Sequence, residues 1–418
     1  MTRGLPFRIG WVLLAVVSSS CGDSSSGQSQ GPPPNTLSMT IDLGPPALLS
    51  TGPVSANVAY ATITVCSPGS TIACQSIDHV VVDTGSTGLR ILHEVLSPSV
   101  VPRPVVDPPS GRPVSECGVF ADGWTWGSLD TVDVNLGGRT ISSLVAHVIG
   151  DPASGAAPSG CSAGNGPEED TVADFGANGV LGVGYYLQDC GSYCAGQIPT
   201  SGAPFWACSG GGGDQGCTAI TLAATSQPAN LIALLPSDNN GLEVRFPSTG
   251  TAPAATLSGT LLFGIGTQTD NPPGSASFHV LAADGSLTTT YGGNTFDQSL
   301  VDSGSSAYYF ADGSIAQCAS SDVGTGFYCP PSAIDTSGTL AGAEVRPATI
   351  AFTVGNADQL FTTAPDAAVF PSLAGPLGGL QLSTRTFDWG LPFFYGRSVF
   401  VVFEGRVGGT TTGPAIGF

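Results

Sequence analysis

The chain contains no lysine; its eleven basic residues are all arginine. A lysine Schiff base and a phosphate-binding P-loop both need an ammonium group, so neither is available. Acidic residues outnumber basic ones by 31 to 11, giving a formal net charge of −20. Nucleic-acid binding rests on clustered cations, so no nucleic-acid partner is expected. The acidity reads as a well-solvated surface. His79, His93, His147 and His279 are scattered without metal-ligand spacing, so no metal and no cofactor are expected. His79 and His279 lie in strand-like runs and read as packed or surface residues.

Long apolar runs and long amphipathic helical patterns are missing too. The apolar stretch Ile9–Val17 follows Arg3 and Arg8 and precedes Ser18-Ser19-Ser20-Cys21. It is too short to span a bilayer and reads as a signal peptide, residues 1–21. Cys21 suits the acylated cysteine of a bacterial lipoprotein, although Ser18 stands where Leu or Val is usual. Residues 22–37 then form a flexible tether, rich at first in Ser, Gly, Gln and Pro. The expected location is the cell envelope, with membrane contact through the lipid anchor only. Simple secretion is the alternative.

What is plentiful is glycine and proline, 59 and 33 of 418 residues. They separate short apolar runs, a pattern of many strands joined by turns, and the fold class expected is all-β. The length suits two or three domains. Of eleven cysteines, ten remain once Cys21 is set aside, enough for five disulfides in an exported protein. Cys66 with Cys74 and Cys318 with Cys329 are the near-neighbour pairs. Cys117, Cys161, Cys190, Cys194, Cys208 and Cys217 could pair several ways. A zinc site over Cys190–Cys217 is disfavoured, because its C-x3-C and C-x8-C spacings make no familiar knuckle.

The informative feature is a duplication. Residues 80–88 read Val-Val-Val-Asp-Thr-Gly-Ser-Thr-Gly, and residues 300–306 read Leu-Val-Asp-Ser-Gly-Ser-Ser. Asp-Ser/Thr-Gly occurs nowhere else in the chain. Each copy follows an apolar run that would deliver its Asp, Asp83 or Asp302, into a tight turn at a strand end, with Gly85 or Gly304 allowing the close bend. Asn178-Gly179-Val180-Leu181-Gly182 follows the first copy, with Gly182 99 residues after Asp83. Asp388-Trp389-Gly390-Leu391-Pro392 follows the second, with Gly390 88 residues after Asp302. An isolated Asp-Thr-Gly is most often a turn former. Two copies with matching partners downstream predict two similar lobes and a groove between them, a common place for a substrate cleft.

These paired motifs resemble those of the pepsin-like aspartic proteases, and the likeness extends over most of residues 38–418. Residues 259–266, residues 347–355 and the closing Pro-Ala-Ile-Gly-Phe are similar to strands of that family's second lobe. Asp238-Asn239-Asn240-Gly241 and Phe263 to Gln268 also resemble an uncharacterised family of bacterial secreted lipoproteins, a branch of the same fold. The resemblance implies an N-terminal lobe over 38–235, a C-terminal lobe over 236–418, and a monomer. It further implies an aspartic-type endopeptidase acting on polypeptide. In such a site two carboxylates share a proton and hold a water that attacks the peptide carbonyl. Thr84 and Ser303 would brace the two loops, and Ser86 and Ser305 would bond to the outer carboxylate oxygens.

Three departures favour the alternative, a lipoprotein of this fold that binds a peptide or envelope partner without cutting it. The hairpin that covers the cleft in pepsin-like enzymes carries a Tyr, whereas Phe120 is nearest here and has no hydroxyl to donate. Arg90 stands where that family has a Trp. The tether runs almost directly into Thr36-Leu37-Ser38, with no basic propeptide between. Trp124 and Trp126 alternate along the same hairpin, with covering the substrate and simple packing both open. Two other motifs are set aside. Gly160-Cys161-Ser162-Ala163-Gly164 matches a serine-hydrolase elbow but sits in a loop-like stretch, and Gly210–Gly213 has no lysine to hold phosphate.

Overall fold

The computed structural model describes residues 35–49, 55–344, 346–377 and 382–418. The signal segment, Cys21 and the tether up to residue 34 lie outside them. Thr36 and Leu37, expected at the end of the tether, instead open the first strand, Thr36–Ile41. Leu37, Met39 and Ile41 are all buried there. A period-two apolar face of this kind is what commits a segment to a sheet.

Strands dominate, and helices are single turns or little more. A 16-stranded sheet and a 7-stranded sheet carry the fold. The strand Thr36–Ile41 pairs with Ala59–Cys66 on one edge and with Leu257–Phe263 on the other. One continuous sheet therefore passes from the N-terminal half into the C-terminal half. Asn57, fully buried, adds a polar clasp between them. Its side chain donates to the Ser306 and Phe370 carbonyls (2.8 and 2.9 Å) and accepts from Phe370 N–H and the Tyr395 hydroxyl (2.7 Å each).

The duplication in sequence is a duplication in topology. In the first half, strand Cys74–Asp83 runs parallel to Gly179–Val183, with Asp83 opposite Gly182, while Thr87–Leu92 pairs antiparallel to that same strand. In the second half, Asn294–Val301 runs parallel to Phe387–Trp389, and Tyr308–Phe310 lies antiparallel on its other side. Each apolar-Gly element thus threads between the two arms of its Asp loop, which is why it recurs at a similar distance. Glycine ends each element because nothing larger fits. A Cβ on Gly182 would stand 2.7 Å from Thr87 N, and one on Gly390 would stand 2.2 Å from the Ala307 carbonyl oxygen.

Five disulfides close surface loops. Cys66–Cys74 and Cys318–Cys329 are the near-neighbour pairs; the others are Cys117–Cys161, Cys190–Cys194 and Cys208–Cys217. Among the described residues no helix is long and apolar enough to cross a membrane.

Candidate active site

Asp83 ends its strand and Asp302 follows Val301 at the end of the equivalent one. Their turns are wired alike. Gly85 N–H donates to Asp83 Oδ1 at 2.7 Å, and Gly304 N–H donates to Asp302 Oδ1 at 2.7 Å. Ser86 Oγ donates to Asp83 Oδ2, and Ser305 Oγ donates to Asp302 Oδ2 at 2.9 Å. Thr84 and Ser303 lock the loops together across the pseudo-twofold. The Ser303 hydroxyl accepts from Thr84 N–H (3.1 Å) and donates to the Val82 carbonyl (2.7 Å). The Thr84 hydroxyl accepts from Ser303 N–H (2.9 Å) and donates to the Val301 carbonyl (3.2 Å).

The two loops press close. A Cβ on Gly85 would stand 2.7 Å from the Asp302 carboxyl carbon, and one on Gly304 would stand 2.6 Å from Asp83 Oδ1. That same Gly304 position lies 3.2 Å from Asp302 Oδ1, so the Oδ1 atoms of both carboxyls border one small space. Burial first, then the charge of Asp83 and of Asp388, hold the Asp302 carboxyl well above the usual range. A second negative charge at Asp302 is thus disfavoured beside Asp83.

The pair lies on the floor of a cleft of about 290 Å³, lined also by Phe120, Ala121, Asp122, Glu169, Phe175 and Tyr309. Phe120 comes from the tip of the hairpin formed by Val114–Val119 and Trp124–Leu136. Arg90 sits 5.7 Å from the centre of the Phe120 ring. Two departures noted in the sequence, a Phe for a Tyr and an Arg for a Trp, therefore touch. A cation–π contact supports the hairpin tip where a hydroxyl is lacking. Arg90 is itself buried, donating to Glu116 (2.8 Å), Asp189 (2.9 Å) and the Thr87 carbonyl (2.9 Å). Burial pushes Glu116 up to about 7, with Arg90 pulling it back.

Trp124 and Trp126 do not cover the cleft. They stand opposite Val119 and Cys117 on the face of the hairpin that carries the disulfides, buried against Cys117, Cys161, Cys208 and Cys217. Their indole N–H groups donate to the Gly166 and Gly155 carbonyls (3.2 and 3.1 Å). Strand alternation explains the correction: both side chains share one face, and Thr125 between them turns towards Gly118 instead. The Gly160–Gly164 stretch likewise makes no nucleophile elbow. Its Cys161 is disulfide-bonded, and the short turn Ser159–Ser162 follows Pro158 rather than a strand.

Three acidic groups near the pair escaped the sequence reading. Asp388, 1% exposed on the strand beside Val301, keeps Oδ1 without a hydrogen-bond partner. Burial pushes it up to about 8, opposed by the Ser305 hydroxyl and aided by the charge of Asp83. An acid set among Phe387, Trp389 and Leu391 was the available signal. Burial, and less strongly Asp83, raise Asp122 at the hairpin tip. Glu169 is pushed up to about 8 by burial and then by Asp122 and Asp174. Nothing in Gly166-Pro167-Glu168-Glu169-Asp170 points to the cleft.

Two lobes of like topology with facing Asp-Thr-Gly and Asp-Ser-Gly turns define the pepsin-like aspartic proteinase fold. The crystal structure of an aspartic proteinase from Irpex lacteus superimposes with a TM-score of 0.52 at 16% identity, over 91% of this chain and 96% of that one. The chain belongs to the family described as "Protein of unknown function (DUF3443)", whose model matches residues 31–418. No curated protein matches the sequence.

Proposed function

We propose that the protein is an aspartic-type endopeptidase that hydrolyses extended polypeptide at the bacterial cell envelope. The observation that carries this reading is the paired wiring of Asp83 and Asp302. Each carboxyl receives one backbone N–H and one serine hydroxyl, and the two face each other on the floor of an open cleft. Such a pair can hold one water between its inner oxygens. The ionised member takes a proton from that water as the water attacks the scissile carbonyl. The protonated member donates to the carbonyl oxygen, leaving a tetrahedral gem-diol. The newly protonated carboxyl then gives its proton to the leaving nitrogen while the other takes one back from a gem-diol hydroxyl, so the C–N bond breaks to acid and amine and the pair again holds one proton. Thr84 and Ser303 position the pair without touching substrate. Five disulfides fit an oxidising compartment outside the cytoplasm, and the Ser-Ser-Ser-Cys21 sequence supports a lipid anchor there.

A cleft that binds peptide without cutting it is the second reading, favoured by the missing hydroxyl at Phe120. Incubation with unfolded protein across about pH 3–7 separates the two. Cleavage that disappears in both Asp83→Ala and Asp302→Ala supports the peptidase. Cleavage surviving both substitutions, or none from the wild type at any pH, contradicts it.

A further inference from the structure

The cleft holds a second acidic feature, on the wall beneath the hairpin tip. Glu169 is brought there by a loop stitched to the hairpin: Glu169 N–H donates to the Trp124 carbonyl (2.8 Å), and Trp124 N–H donates to the Pro167 carbonyl (3.0 Å). Gly123 makes the space, since a Cβ there would stand 2.6 Å from the Glu169 carboxyl carbon. Glu169 exposes only 8% of its surface, and its carboxyl has no hydrogen-bond partner among the described residues. Asp122 lies beside it, and both line the same cleft as Asp83 and Asp302. The lining contains no Arg and no His.

A carboxyl so enclosed, met only by the solvent of the cleft, loses that solvent when a ligand enters and then needs a donor from the ligand. Among the described residues no three His, Cys, Asp or Glu side chains converge as a metal site. An organic cation fits better, because the cleft also offers what a long basic side chain needs besides charge. Phe120 and Phe175 meet edge to face at 5.8 Å and line it together with Val180. An aliphatic stem can lie on that surface while its charged head reaches the carboxyls.

We propose that Asp122 and Glu169 form a specificity subsite for a lysine or arginine side chain of the bound polypeptide. This rests on the reading of the cleft as a peptide site. The head group supplies Glu169 with its missing donors and sets a positive charge beside the exposed Asp122. A peptide lacking the cation covers the Glu169 carboxyl without giving it a donor, and a site built around a polar partner discriminates strongly against such an analogue.

The test is binding to the full chain, read by fluorescence anisotropy near neutral pH. The probes are labelled octapeptides, otherwise uncharged, in which a single lysine is walked along the sequence, each matched to a norleucine version with the same stem and no ammonium. The lysine peptide is expected to bind at least about tenfold more tightly at one position. In the double variant Asp122→Asn, Glu169→Gln that ratio is expected to fall to about one, with norleucine affinity unchanged, which also shows the variant folded. Equal binding of both peptides by the wild type overturns the subsite, as does failure to bind either. A preference surviving in a variant that still binds norleucine peptide does so too, since it comes from the general negative field of the chain. Cleavage of the same peptides is scored separately. Lysine preference without cleavage keeps the subsite and removes the endopeptidase; cleavage without preference does the reverse.

Discussion

Asp83 and Asp302 are held by few bonds, and each bond has a measurable consequence. Replacing either aspartate with Asn keeps the shape but removes one of the two acids that the proposed chemistry needs. Turnover is expected to fall about 10²–10⁴-fold in a peptide-cleavage assay. Thermal stability should hold or rise in Asp302→Asn, because burial disfavours the charge this carboxyl would carry. Thr84→Val tests the brace. The methyl fits, but Ser303 N–H and the Val301 carbonyl lose their partner. Leaving such groups buried costs about 1–3 kcal/mol each, which a denaturant titration would read. At this scale the sequence was most legible where chemistry repeats. Thr84, Ser86, Ser303 and Ser305 were nameable because each stands at a fixed offset from an Asp-Gly turn. Glu169 was not, since its place depends on a loop whose pairing with Trp124 no local pattern encodes.

The hairpin 114–136 brings Phe120, Ala121 and Asp122 to the cleft, and Arg90 is its support. Arg90→Met removes the cation under Phe120 and strands Glu116, which is fully buried. Breaking a buried pair in this way is expected to destabilise the fold by about 3–5 kcal/mol, measurable by chemical denaturation. A compensating Glu116→Leu should recover much of that loss, because an apolar pair avoids the unpaired charge. Sequence alone flagged Arg90 and Phe120 as separate oddities. Only the fold, which brings the Arg90 guanidinium to 5.7 Å from the Phe120 ring centre, shows one substitution answering the other. Trp124 and Trp126 teach the opposite lesson. Their alternation was visible, yet which face looked into the cleft depended on Cys117–Cys161, whose pairing sequence left open. The apolar-Gly elements at 179–182 and 389–390 were readable as repeats because close packing forbids any other residue at Gly182 and Gly390.

Across the whole molecule, several buried carboxyls titrate far above their unfolded values: Glu116 at about 7, Glu169 and Asp388 at about 8. A group with a raised folded pKa binds its proton more tightly folded than unfolded, so its contribution is greatest in acid and is lost as pH climbs through the folded value. Burial lowers His147 and His279, which works the other way, but only below about pH 6.5, where the unfolded imidazole gains its proton. The melting temperature is therefore expected to fall as pH rises from about 6 to about 8. Asp388→Asn should flatten part of that fall; a melting temperature that rises over this interval contradicts the assignment. The two-lobed architecture was readable from the duplicated motifs. The sheet strand Thr36–Ile41 that joins the halves was not, because a tether and a short strand of this composition look alike until Leu257–Phe263 and Ala59–Cys66 lie on either side of it.

The central claim is that Asp83 and Asp302 act as one unit on a peptide carbonyl. A peptide whose scissile amide is replaced by a hydroxyl-bearing isostere mimics the gem-diol, and its affinity can be compared with that of the matched uncleavable peptide by calorimetry. The account predicts that the isostere binds at least about a hundredfold more tightly to the wild type, and that this advantage vanishes in both Asp83→Ala and Asp302→Ala. Equal affinity for the two ligands, or an advantage that persists in either variant, would contradict it.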